Sequence, residues 1–173
     1  MKHYAIMLVG SLVIPVVLSA CGGGGSTASQ APQKAVAVMR TTQLSTPATP
    51  IAAISATLTI PNGVTVRTTT SDPYQPDTTV VQLLNASAAG TAAAPTLVFS
   101  RYSAATATTV GKLKFTVMDV RGFTAAEQIA ITLDVTSGFY PTSSDFGLID
   151  YTFSDINGAI LTGISPTLTA TIQ

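Results

Sequence analysis

The sequence predicts an all-β domain built as a two-sheet sandwich, and three observations carry that expectation. From Lys34 onward apolar residues recur at every second position, the period of a strand with one buried face. Turn-forming clusters such as Pro61-Asn62-Gly63 and Asp155-Ile156-Asn157-Gly158 punctuate these runs at short intervals. No segment shows the 3.6-residue period of an amphipathic helix.

The chain before Lys34 reads differently. Met1-Lys2-His3-Tyr4 is short and positive, and an apolar run from Ala5 to Leu18 follows, interrupted by Gly10, Ser11 and Pro15. A spanning helix needs roughly 20 apolar residues. This run is shorter and ends in small residues, as a signal peptide does. Leu18-Ser19-Ala20-Cys21 matches the bacterial lipobox: an aliphatic residue, two small ones, then cysteine. The resemblance implies a signal peptide over 1–20, cleavage before Cys21 and lipidation of Cys21. In that family the cysteine carries a diacylglyceryl group and usually an N-acyl chain. Two or more chains anchor stably where one does not. Gly22, not aspartate, follows the cysteine, which in the Gram-negative sorting rule implies the outer membrane. Either its periplasmic or its extracellular face fits. Residues 21–33 form the lipidated cysteine and a Gly/Ser-rich tether. Gly22-Gly23-Gly24-Gly25 is no phosphate loop, because no strand precedes it and no Lys-Ser/Thr follows.

Removing the first 20 of the 173 residues leaves 153, enough for one self-sufficient core. The mature part holds no histidine or tryptophan, and its one cysteine is Cys21. That excludes an internal disulfide, a Cys/His zinc site and any triad or dyad using His or Cys. The formal net charge is zero and no basic run occurs, which argues against nucleic acid as a partner.

The domain is expected to span 34–173. Val36 and Val38 alternate with Ala35 and Ala37 in a first strand. Ile54, Ala56, Leu58 and Ile60 alternate with Ser55, Thr57 and Thr59. After Pro61-Asn62-Gly63 the inward positions resume at Val64 and Val66. Asp72 to Asp77 is a loop, Thr78 to Leu84 a strand, and Asn85 to Pro95 a small, polar stretch. Leu97 and Phe99 mark the inward side of the next strand, so Tyr102, of opposite parity, points outward. Leu113, Phe115 and Val117 face in, with Lys112, Lys114 and Thr116 out. Arg121-Gly122-Phe123-Thr124 separates this strand from the next, and Phe123 is a candidate for either an exposed contact or the core. Ile129, Ile131, Leu133 and Val135 face in. Tyr140 to Phe146 is a long turn with room for one helical turn, and Leu148 to Phe153 is a strand. Asp155 to Ile160 is a hairpin of the Asn-Gly type I′ kind, and Leu168, Ala170 and Ile172 lie in the last strand. About nine short strands result, as in a β-sandwich or jelly roll.

Several of these segments together resemble a cohesin-like domain. They are the strand-turn-strand Ile54 to Val66, the strand Gly111 to Val117 with Phe123-Thr124-Ala125-Ala126-Glu127 and Ile129 to Val135 after it, and the ending from Ser144-Asp145-Phe146 through Asp155 to Ile160. The resemblance covers Lys34 to Gln173 and implies a nine-stranded jelly roll related to carbohydrate-binding modules. Cohesins bind dockerin modules through one sheet face. Cellulosomal cohesins occur as repeats, and no repeat is present here.

The residues carry no catalytic signature, and no cofactor or metal is expected. Asp145, Asp150 and Asp155 are five apart, which sends neighbours on one strand to opposite faces. Glu127 is the sole glutamate, so a glycosidase pair across a cleft is not foreshadowed. Asp155-Ile156-Asn157-Gly158 begins like a calcium loop but lacks its closing acid. For a ligand, the tyrosines Tyr74, Tyr102 and Tyr140 are the candidate contacts, since sugars stack on aromatic faces. The expectation is a non-catalytic module that docks a surface protein. Carbohydrate or matrix binding and a structural envelope role are the alternatives. Cys21→Ala should move the protein from the membrane fraction to the soluble fraction; fractionation and immunoblotting check this.

Overall fold

The computed structural model describes residues 34–43, 50–84, 97–123 and 128–173. The lipobox, the tether and the stretch Asn85 to Pro95 lie outside them. Ten strands are present among the described residues, two of them only two residues long, with no α-helix. They are β1 (Lys34–Gln43), β2 (Ile51–Ile60), β3 (Val64–Thr65), β4 (Val81–Leu84), β5 (Leu97–Ser103), β6 (Gly111–Phe123), β7 (Gln128–Val135), β8 (Gly147–Ser154), β9 (Ile160–Leu161) and β10 (Ile164–Ile172). A single 3-10 turn, Ser143–Asp145, fills the place where one helical turn was expected.

Two antiparallel sheets form the domain. The first runs β10-β1-β7-β3, with β4 also paired to β7; the second runs β5-β6-β2-β8-β9. Their inward faces share one core, which includes Ala35, Ala37, Met39, Ile129, Ile131 and Leu133 from the first sheet. Ile54, Ala56, Leu58, Ile60, Leu113, Phe115 and Val117 come from the second. The inward residues expected on β2, β6 and β7 are all buried there. Burying each Leu, Ile or Phe contributes about 1.5–3 kcal/mol.

In β1 the side that enters the core is Ala35, Ala37 and Met39, while Val36 and Val38 are half-buried on the outer face. Small residues suit this central strand because β7 and β10 flank it and bring larger side chains inward. The expected strand from Thr78 to Leu84 shortens to Val81–Leu84. Asp77 holds the residues before it in a turn, accepting hydrogen bonds from the Thr79 N–H at 2.8 Å and Thr79 Oγ1 at 2.7 Å.

The hairpin after β8 is not of type I′. That turn needs two residues of positive φ, and here only Gly158 has one, at 81°. The Gly158 N–H donates to Asp155 O at 3.0 Å and the Asp155 N–H to Ala159 O at 3.0 Å. This is a three-residue loop closed by a left-handed glycine. The Asp155 carboxylate strengthens it by accepting from the Asn157 and Ala159 N–H groups. The side chain fixes the turn locally, so Asn157 can stay at negative φ.

The chain ends meet. Lys34 N–H donates to Gln173 O at 3.2 Å and Gln173 N–H to Lys34 O at 2.9 Å. The start of β1 therefore sits at the same pole as the ends of β7 and β10 and the 61–63 turn. The start of β5 and the ends of β1, β4 and β6 sit at the opposite pole.

Leu133 is fully buried. Leu133→Asp puts an unpaired charge among aliphatics, beyond the about 2–5 kcal/mol of a cavity alone. It should abolish cooperative melting, read by circular dichroism.

Candidate functional site

The pairing of β5 with β6 decides what this part of the surface presents. Val98 lies opposite Val117, Ser100 opposite Phe115 and Tyr102 opposite Leu113. Residues directly opposite share a face, so Val98, Ser100 and Tyr102 take the inner side. Leu97, Phe99, Arg101 and Ser103 take the outer side. This corrects the expected parity. Phe99 is 60% exposed and Leu97 47%, whereas Tyr102 is 6% exposed and belongs to the core. The physical reason is that Leu97-Val98-Phe99 is apolar on both faces, so the strand's own pattern does not choose a side. The register with the strongly alternating β6 chooses it.

Tyr102, a candidate ligand contact on the expected outward parity, instead points into the core. Burial pushes its hydroxyl pKa up from the ordinary value, partly offset by a hydrogen bond with the Val66 backbone. Tyr74 and Tyr140 remain exposed at 52% and 62%. Tyr74 lies in the segment that wraps the β5 edge, where its carbonyl accepts from the Tyr102 N–H at 2.8 Å. Its ring is covered by the Arg101 guanidinium, 5.2 Å from the ring centroid. Such contacts contribute about 0.5–1 kcal/mol at exposed sites. With Tyr102 buried, the three tyrosines do not form one platform. Phe123, 3% exposed, is also a core residue and not a surface contact.

The outer face of β5 and β6 assembles a different group. Arg101 stands directly opposite Lys114, and Ser103 opposite Lys112. Lys112 and Lys114 share a face, two residues apart. The three cations therefore cluster within side-chain reach of one another. The one ion pair among the described residues is Arg67 with Asp134, 3.2 Å, on the other sheet. Phe99, opposite Thr116, and Leu97, opposite Met118, extend the patch with exposed apolar surface. Met118 is 40% exposed, and a shallow depression of about 190 Å³ is lined by Phe99, Ser100, Arg101, Lys114, Phe115 and Thr116. Beside it the Ser55 and Thr116 hydroxyls are hydrogen-bonded at 2.8 Å. The sequence foreshadowed outward Lys112 and Lys114. It did not bring Arg101 and Phe99 to them, because that needs the β5 register.

Three of the carboxylates, Asp77, Asp145 and Asp155, serve loops. Asp145 accepts from the Thr142 N–H at 2.6 Å and Thr142 Oγ1 at 2.9 Å, capping the 3-10 turn. These bonds hold its pKa below the ordinary carboxylate value, as the Thr79 backbone and side-chain bonds do for Asp77. Asp150 occupies the irregularity in β8 opposite β2, at φ 51°. Asp155 closes the hairpin. Asp119 is a buried carboxylate, 3% exposed, just past the regular part of β6. Among the described residues no group of three or more His, Cys, Asp or Glu is placed to hold a metal, and no helix is long and apolar enough to cross a membrane.

Comparison with protein-family models, with curated proteins and with solved structures found no match to this chain.

The raised Tyr102 pKa gives a pH dependence with a definite sign. The folded state disfavours the phenolate, so this contribution to stability is complete below the unfolded value near 10. It is lost as pH rises through the higher folded value. The melting temperature should fall on going from pH 9 to about pH 11. Tyr102→Phe should cost about 1 kcal/mol at neutral pH and flatten the alkaline fall, as thermal melts of both proteins will show.

Proposed function

We propose that this chain is a lipid-anchored, non-catalytic binding module of the bacterial envelope that docks a protein partner. The lipobox places its anchor at Cys21, Gly22 favours the outer membrane, and residues 22–33 tether the domain. The sandwich is read as a cohesin-like jelly roll. Support comes from the path of the chain: β1 to β2, β2 to β3, β4 to β5, β6 to β7, β7 to β8 and β9 to β10 each pass from one sheet to the other. Hairpins within a sheet join β5 to β6 and β8 to β9.

The observation that carries the docking reading is the outer face of β5 and β6. Arg101, Lys112 and Lys114 have no carboxylate partner among the described residues. Exposed Phe99, Leu97 and Met118 lie beside them. Apolar centres bordered by cations are the composition of protein-docking surfaces, where aromatic residues, Met and Arg are enriched. The patch binds and orients; Asp77, Asp145 and Asp155 are engaged in their own turns.

The full chain, purified in detergent and immobilised, tests this against solubilised envelope from the same cells. A single protein should be retained in stoichiometric amount, and Arg101→Glu with Lys114→Glu should reduce its recovery about tenfold. Raising salt from 0.1 to 1 M, which shortens the screening length from about 10 to about 3 Å, should reduce it too. Recovery of polysaccharide in place of protein would overturn the docking reading in favour of carbohydrate binding.

A further inference from the structure

Strand β5 ends its sheet, and the parity of its backbone is known. Tyr102 sends its N–H away from β6, to the Tyr74 carbonyl. In an antiparallel ladder alternate residues repeat that direction. The amides of Val98 and Ser100 therefore also point to the free edge, while Phe99 and Arg101 bond to β6. Above Tyr74 no other described segment pairs with this edge. Natural edges are blunted by proline, inward charge, bulges or a cover. The stretch Leu97 to Ser100 has no proline or charge, and β5 pairs with β6 without a register shift.

Two surfaces flank this edge. On the outer side are Phe99, Arg101 and Lys114. On the inner side is a cleft of about 310 Å³ lined by Gln75, Pro76, Asp77, Thr78, Val81 and Val98. The carboxylate in that cleft, Asp77, is turned into its own loop by the two hydrogen bonds from Thr79.

We infer that the free edge of β5 receives an extended acidic segment of a partner protein, which adds as a strand alongside Val98–Arg101 with a carboxylate set against Arg101 and Lys114. The inference rests on the docking-module reading and specifies its partner. Strand addition takes affinity from main-chain hydrogen bonds and specificity from alternate side chains. The ligand residue opposite Ser100 exchanges both main-chain bonds with it and turns its side chain to the Val81–Val98 cleft, where a small or apolar group fits. The residue opposite Arg101 points to the outer face and is acidic, because two cations meet it there. The residue opposite Phe99 also points outward and is apolar or aromatic. Run antiparallel to β5, the motif reads acidic, aliphatic, aromatic.

The test uses the full chain in detergent and a fluorescent peptide, Ser-Glu-Val-Phe-Thr-Ser, blocked at both ends, with binding followed by anisotropy. Saturable binding is expected. It should weaken about tenfold when the peptide's Glu is replaced by Lys, or in the protein variant Arg101→Glu with Lys114→Glu. Ser100→Pro removes an amide that no described residue uses and should abolish binding with an unchanged melting temperature. Methylating the peptide's Val amide should abolish binding as well, and this control does not depend on how any variant folds. Equal binding of the Glu and Lys peptides, or binding that survives both Ser100→Pro and methylation, would overturn strand addition. The envelope capture separates this from the broader reading. A protein retained by wild type and by Ser100→Pro, but not by Arg101→Glu with Lys114→Glu, refutes strand addition and leaves the docking module standing. No protein retained by wild type refutes the module itself.

Discussion

The alternation of β2 and β6 about a shared register is the constraint on which the rest of this domain depends. Nine of the ten positions of β2, all but Ala52 at the shift beside Ile51, are matched to β6, and β8 takes its register from the other side of β2. Because successive side chains point to opposite faces, fixing one pair fixes the orientation of every residue in the regular ladder from Ala53 to Ile60 and from Gly111 to Met118. Leu58 opposite Leu113, Ala56 opposite Phe115 and Ile54 opposite Val117 put a large residue against a smaller or equal one at each step. A slip of one residue would carry Lys112 and Lys114 into the core, at a cost no burial of Thr116 offsets. The register of this pair is therefore strongly specified, and it passes that specification to its neighbours.

The consequences reach β5, which has little preference of its own. Leu97, Val98 and Phe99 could each be buried. The pairing to β6 turns Val98, Ser100 and Tyr102 to the inner side, where Tyr102 is buried and Val98 stays 40% exposed near the strand's start, and leaves Phe99 and Leu97 outside. The same step sets Arg101 opposite Lys114. The exposed apolar surface and the clustered positive charge thus have one cause. Tyr102 inside the core, hydrogen-bonded to the Val66 backbone, is part of that cause: a phenol buried with its polar tip satisfied holds the strand in this orientation. The loop that carries Tyr74 then closes only the lower end of the β5 edge.

Polar residues elsewhere reinforce turns. Asp77, Asp145 and Asp155 each accept hydrogen bonds from N–H groups two to four residues away. Short loops stapled this way lose less order than bare ones, and the domain has no disulfide to do the same work. At the irregular end of β6, Gly122 takes φ 82°, and a β-carbon there would stand 2.6 Å from the Pro50 side chain. This is a place where glycine is required for the strand to end against the start of β2.

The sequence by itself determined the all-β class, the inward sides of β2, β6, β7 and the 64–66 segment, and the turns at 61–63 and 155–158. In each of these, one face is clearly apolar and the other polar, or a glycine or aspartate acts on its own neighbours, so the information is local. Three features were decided only by tertiary structure: the side of β5 that faces in, the burial of Tyr102, and the inward placing of Ala35 and Ala37 in place of Val36 and Val38. Both faces of those strands are acceptable to a core, and only pairing with a neighbour of fixed register selects one. The hairpin type at Gly158 also escaped a dipeptide rule, because the Asp155 side chain, not Asn157, satisfies the loop's amides. The outer-face patch was half legible: Lys112 and Lys114 announce themselves by alternation, but Phe99 and Arg101 join them through a strand pairing that no local pattern encodes.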